Sequence, residues 1–144
     1  MSTLNVAIIG CGYIGTRHAR NLARLPDVAV VACVDRDLAR ARQLRDTLGS
    51  DARSGSGTAV ATSDVQAALR DPETHAVVIA THRDSHRDLA VAAARAGKHV
   101  FVEKPLALTN EGCRAIEAAV QAAGVQLVVG FQARHAPLVR RARA

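Results

Sequence analysis

Aromatic residues are nearly absent from this chain. Of its 144 residues, one is tyrosine, two are phenylalanine and none is tryptophan. Base-stacking recognition of RNA or single strands relies on aromatic platforms, so the scarcity argues against that class. Cysteine is scarce too. Cys11, Cys33 and Cys113 are odd in number, form no C-x-x-C pair and lack metal-ligand spacing. They read as reduced thiols in a cytoplasmic protein, and no metal site is expected. The first residues lack a basic leader region, and no apolar run approaches membrane-spanning length, so no membrane partner is expected. Charge is not scarce. The net charge of +6 is carried almost wholly by arginines scattered through helical patterns. Only Arg140-Arg141-Ala142-Arg143 clusters, so solvated helix faces and attraction for an anionic cofactor fit better than nucleic acid.

What is present begins with Gly10-Cys11-Gly12-Tyr13-Ile14-Gly15, directly after the apolar run Val6-Ala7-Ile8-Ile9. A G-x-G-x-x-G run alone is weak. Here a strand precedes it, a helical pattern follows, and the acidic Asp35 comes about 20 positions on. Gly10 allows the tight turn, Gly12 lets the backbone approach a pyrophosphate, and Gly15 lets helix and strand pack closely. The helix N-terminus then offers free N–H groups to the phosphates. A dinucleotide is the expected ligand.

The pattern alternates strand and helix. Strands are expected at 4–9, 28–34, 58–61, 76–80, 98–102 and 126–130. Helices are expected at 14–25, 37–48 (stopped by Gly49), about 64–70, 84–96 and about 110–123. The first helix should turn Ile14, His18, Leu22 and Leu25 inward, and Gly49–Gly57 should be a loop. Strands spaced by single helices predict an α/β, doubly wound parallel sheet of six or so strands with helices on both faces. The expected organisation is one domain over 1–132, then a basic tail over 133–144.

The strand ends carry the candidate chemistry. Asp35 can accept hydrogen bonds from the adenosine ribose, which favours NAD; Arg36 beside it keeps NADP open. Thr81 and His82 are expected to line the cleft, with Asp84 or Ser85 capping the next helix. His82 and His86 at i, i+4 lack the glutamate and third ligand of a zinc site. His86-Arg87-Asp88-Leu89 imitates a kinase loop, but the asparagine and D-F-G that should follow are missing. Glu103-Lys104-Pro105 places a charged pair at a strand's exit, where Lys104 could bind substrate hydroxyls or tune a proton transfer. His18 reads as a packed, hydrogen-bonded side chain, and His75 and His99 as surface or strand-edge residues.

Together these segments resemble the glucose–fructose oxidoreductase / inositol dehydrogenase / MocA family. The resemblance rests on Val6–Gly15, Asp35-Arg36-Asp37, Val77–Thr81, His86, Val129–Gln132 and Ala96–Ala107, within which Gly97–Pro105 is the most specific run. It implies an NAD(P)-binding Rossmann domain, with NAD as cofactor and NADP as the alternative. In that family such a domain serves oxidoreductases acting on sugars, polyols and related alcohols by hydride transfer. The resemblance makes Lys104 the catalytic residue. It places Gly10, Gly12, Tyr13, Ile14, Gly15, Asp35, Arg36, Thr81, His82, His86, Glu103, Lys104 and Gln132 at the cofactor. The family's second, substrate-binding domain has no counterpart here. The tail would be its start, and a companion domain or homo-oligomer is the expected partner. Little turnover is expected from the isolated chain, and a stand-alone, non-catalytic dinucleotide-binding module is the competing reading.

Overall fold

The computed structural model describes residues 3–50 and 59–142. Six strands are observed: β1 (Leu4–Ile9), β2 (Val28–Val34), β3 (Val60–Thr62), β4 (Ala76–Ile79), β5 (His99–Val102) and β6 (Leu127–Val129). Between and after them run helices α1 (Tyr13–Leu22), α2 (Leu38–Ser50), α3 (Val65–Arg70), α4 (His86–Arg95), α5 (Asn110–Ala123) and α6 (Pro137–Ala142). The strands form one sheet in the order β3-β2-β1-β4-β5-β6, and every pairing is parallel. This is the expected doubly wound arrangement, with its switch point between β1 and β4.

The central strands are valine- and isoleucine-rich because both faces are covered. Ala7, Ile9, Val34, Val77, Ile79 and Val102 feed one core with Ile116 of α5. Val6, Ile8, Cys33 and Val78 feed the other, with Ala19 of α1 and Ala41, Leu44 and Leu48 of α2. Local signals set several ends. Asp64 caps α3 by accepting Gln66 N–H, and Thr109 caps α5 by accepting Gly112 N–H. Gly97 and Gly124 follow their helices at positive φ, which side chains resist.

Two local expectations are corrected. Helix α1 ends at Leu22 and turns Gly15 and Ala19 inward, whereas Ile14 and, beyond the helix, Leu25 are exposed. A Cβ on Gly15 would fall on the Gly10 carbonyl, so the helix lies too close to β1 for a large side chain there. Helix α2 runs through Gly49 to Ser50, and Gly49 is not at positive φ, so it is no C-terminal stop. The rest of the expected 49–57 loop, over 51–58, lies outside the described residues. The start of the tail is ordered as a turn at Gln132–His135 followed by α6. Among the described residues, no helix is long and apolar enough to cross a membrane.

Candidate functional site

Register brings the strand exits into line. Ile9 pairs with both Val34 and Ile79, Ile79 pairs with Val102, and Val102 pairs with Val129. The next residue of each strand continues the row. Gly10 N–H donates to Val34 O, Ala80 N–H to Ile9 O, Glu103 N–H to Ile79 O and Gly130 N–H to Val102 O, each at 2.8–2.9 Å. The glycine turn, Asp35, Thr81, Glu103 and Gly130 therefore share one edge of the sheet, although the sequence spreads them from position 10 to position 130.

A cleft of about 370 Å³ opens there, floored by Ile9 and Val34 and rimmed by Gly10, Gly12, Asp35 and Thr81. Gly10 has φ +97, and a Cβ on it would stand 2.6 Å from Ala80 O. A Cβ on Gly12 would meet nothing within 4 Å. Its space opens on the cleft, at the first turn of α1, where backbone N–H groups have no helical partners. Asp35 is held at both ends. Its Oδ2 accepts Cys11 N–H at 2.8 Å and its Oδ1 accepts Asp37 N–H at 2.9 Å. The carboxylate is thus fixed toward the cleft with lone pairs left for ribose hydroxyls. Arg36 lines the same cleft, as do Arg40, Val65, Ser85 and Leu89. The sequence reading missed those four. Arg40 had a signal, standing one turn beyond Asp37, to which its Nε reaches at 3.4 Å.

Thr81 and His82 line the cleft. Thr81 Oγ1 lies 2.8 Å from Ser85 Oγ, and Ser85 Oγ donates to His82 O at 2.7 Å. Those bonds replace a side-chain cap on α4, whose first turn follows a 3-10 turn at Arg83–Ser85. His82 turns to Asp84, 3.0 Å away. His86 departs from expectation: it is buried behind the cleft rather than lining it. Its Nδ1 lies 2.7 Å from Pro105 O and its Nε2 3.2 Å from Thr81 O, so it braces the exits of β4 and β5. Tyr13 and Ile14 begin α1 beside Gly12 but project outward, Tyr13 beneath the Arg17 guanidinium.

Lys104 lies outside this cleft, in a neighbouring hollow that it shares with Phe131, Gln132 and Arg134. Gln132 therefore joins Lys104 in that hollow and is not among the residues lining the cleft. Glu103 turns its carboxylate to His18 on α1, 2.8 Å away. His75 and His99 stand at the opposite edge of the sheet. Each accepts a backbone N–H through Nδ1, from Asn5 at 3.1 Å and from Gln126 at 3.0 Å. Burial pushes the thiols of Cys11, within the glycine turn, and Cys33, on β2, up to about 12.

A glycine turn at a helix start, a fixed acidic residue closing β2 and a charged Glu-Lys-Pro exit on β5 define a dinucleotide-binding domain. Residues 4–131 match the model of the GFO_IDH_MocA oxidoreductase family, described as an NAD-binding Rossmann fold. The chain belongs to that family and forms its NAD-binding domain. It is 36% identical to a levoglucosan dehydrogenase of Pseudarthrobacter phenanthrenivorans, over 99% of this chain and 37% of that protein. It is 39% identical to an inositol 2-dehydrogenase of Saccharopolyspora erythraea, over 94% of this chain and 38% of that protein. The solved structure of GenD2 from gentamicin A biosynthesis, in complex with NAD, superposes with TM-score 0.88 at 34% identity, over 99% of this chain and 38% of GenD2. KijD10, a 3-ketoreductase from Actinomadura kijaniata in complex with NADP, superposes with TM-score 0.85 at 27% identity, over 98% of this chain and 41% of its own. The chain spans under two fifths of the length of these curated relatives.

Proposed function

We propose that this chain is the cofactor half of an oxidoreductase that moves hydride between a nicotinamide dinucleotide and a sugar, inositol or related alcohol. The observation that carries the reading is the common edge, which places Lys104 one strand from the cleft that ends at Thr81 and His82. When bound, the nicotinamide supplies a two-electron acceptor. The chain's own residues do the rest. Gly10, Gly12 and the first amides of α1, at Tyr13, Ile14 and Gly15, receive the pyrophosphate. Asp35 takes the ribose hydroxyls and repels a 2′-phosphate, so NAD is preferred, while Arg36 faces the same space. Lys104 points its ammonium at the reacting oxygen, stabilising negative charge as it develops there. His86 and Glu103 hold backbone, and Gln132 flanks the lysine.

Residues 1–132 make up this functional unit, with 133–144 leading toward a substrate domain or a partner copy in the cytoplasm. A titration with NADH and, separately, NADPH tests the cofactor assignment through nicotinamide fluorescence, against a background free of tryptophan. Tighter binding of NADH is expected. Replacing the corresponding segment of the inositol 2-dehydrogenase relative with this chain tests the chemistry. The chimera should oxidise an inositol with NAD and lose turnover, but not NADH binding, on Lys104→Met. A folded chimera that binds NADH and turns over equally well after that substitution refutes the assignment of Lys104.

A further inference from the structure

Glu103 immediately precedes the lysine, and its side chain is only 14% exposed. Its Oε1 lies 2.8 Å from His18 Nε2, and its Oε2 accepts the Lys104 backbone N–H at 3.3 Å. With its proton on Nε2, His18 donates to the carboxylate. The His18 ring stands edge-on to Phe101 of β5, with centroids 4.9 Å apart. Gly130, just after β6, leaves the carboxylate its place: a Cβ there would stand 3.1 Å from Oε1. Two residues 85 positions apart thus join the phosphate-facing helix to the exit of β5.

We infer that His18 and Glu103 are positioning residues that set the main chain of Lys104 relative to the glycine turn. Dinucleotide binding and lysine placement then become one event. This rests on the role of Lys104 proposed above. The physical link is short. His18 lies five residues into α1, roughly 7.5 Å along its axis, and a helix is stiff over that length. A displacement of the N-terminal turn by phosphate carries His18 with it. Glu103 follows through the hydrogen bond, and the Lys104 amide follows through the other carboxylate oxygen. Neither side chain lines the dinucleotide cleft, so each acts through Lys104 and not on the cofactor.

Amide hydrogen exchange on the whole chain, with and without NADH, tests the inference. In the wild type, saturating NADH should raise the protection of the Lys104 amide at least about threefold. His18→Phe keeps a ring against Phe101 but deletes the donor. Protection at Lys104 should fall about tenfold and its response to NADH should vanish, while the Ile79 and Val102 amides hold. The affinity for NADH should stay within about threefold, since the phosphate contacts remain. His18→Gln, which can still donate, should restore part of the protection. Unchanged Lys104 exchange in both His18→Phe and Glu103→Ala overturns the inference. A wild type that does not bind NADH overturns the cofactor reading itself, and the apo exchange of His18→Phe then decides the tie on its own.

Discussion

Adding one methyl group at two glycines of the same turn should have opposite consequences. At Gly12 a Cβ would meet nothing within 4 Å, whereas at Gly15 it would fall on the Gly10 carbonyl. Gly12 is the N-cap of α1 at φ −75 and ψ −166, an extended conformation open to any residue. Gly12→Ala then loses only an N-cap preference, up to about 1 kcal/mol. Part of that is recovered from the stiffer unfolded chain. The melting temperature should drop by no more than about 3 °C. Gly15→Ala must push α1 off β1, a backbone displacement costing about 3 kcal/mol and roughly 10 °C. Binding reverses the ranking in meaning. The open space at Gly12 is where the pyrophosphate must come, and a methyl there breaks at least one charge-assisted hydrogen bond. At about 1.5–3 kcal/mol each, NADH affinity should fall about 10- to 150-fold. Thermal melts by circular dichroism and NADH fluorescence titrations read the two effects separately. Gly12→Ala binding NADH within twofold of wild type would refute the placement of the phosphates. Gly12→Ala melting as early as Gly15→Ala would refute the packing argument.

Asp35→Asn leaves one acceptor oxygen for two backbone N–H groups, setting an amide NH2 against either Cys11 or Asp37. It should cost about 2 kcal/mol of stability by urea denaturation and erase the preference for NADH over NADPH. The native chain at pH 8 should give one fast-labelling thiol to iodoacetamide, the half-buried Cys113, because burial holds Cys11 and Cys33 protonated. Labelling of all three at similar rates would contradict that. The same thiols ionise near 9.0 when unfolded and near about 12 when folded, so unfolding between those values releases protons. Their contribution to stability is therefore complete below about pH 9 and is lost as the pH rises toward 12. Urea midpoints from pH 8 to 11 should fall accordingly, and less steeply in Cys33→Ala.

The parallel architecture was legible because its signals are local and repeated. Val28–Val34 reads as a buried strand, Asp64 and Thr109 announce helix starts, and Gly97 and Gly124 announce ends. Packing distance was not legible. The apolar period in α1 pointed to Ile14, but the closeness of helix and strand at Gly15 turns the small residues Gly15 and Ala19 inward instead, while His18 is packed and hydrogen-bonded as read. Gly49 resembled a stop, yet a glycine stops a helix only where the backbone takes positive φ, and here it does not. The glycine turn and Asp35 were readable as a unit because they lie within one βαβ segment. The partners of His86 and Glu103 were not, because each depends on strands paired across the sheet and on carbonyls that no side-chain pattern marks. Arg40 escaped because an arginine on a helix ordinarily faces water.

Among the described residues every neighbour pair in the sheet is parallel, so no two of these adjacent strands are joined by a hairpin. The edge that holds Gly10, Asp35, Thr81 and Glu103 exists only after the crossover connections have closed. Folding should accordingly be slower than for a helical domain of equal length, with the β1–β4 pairing as the step that creates the cleft. A ligand gripping that cleft recognises a finished sheet and nothing earlier. At a hundred times its dissociation constant it would add about 2.7 kcal/mol to the native state. The dinucleotide would then serve the chain as a folding ligand.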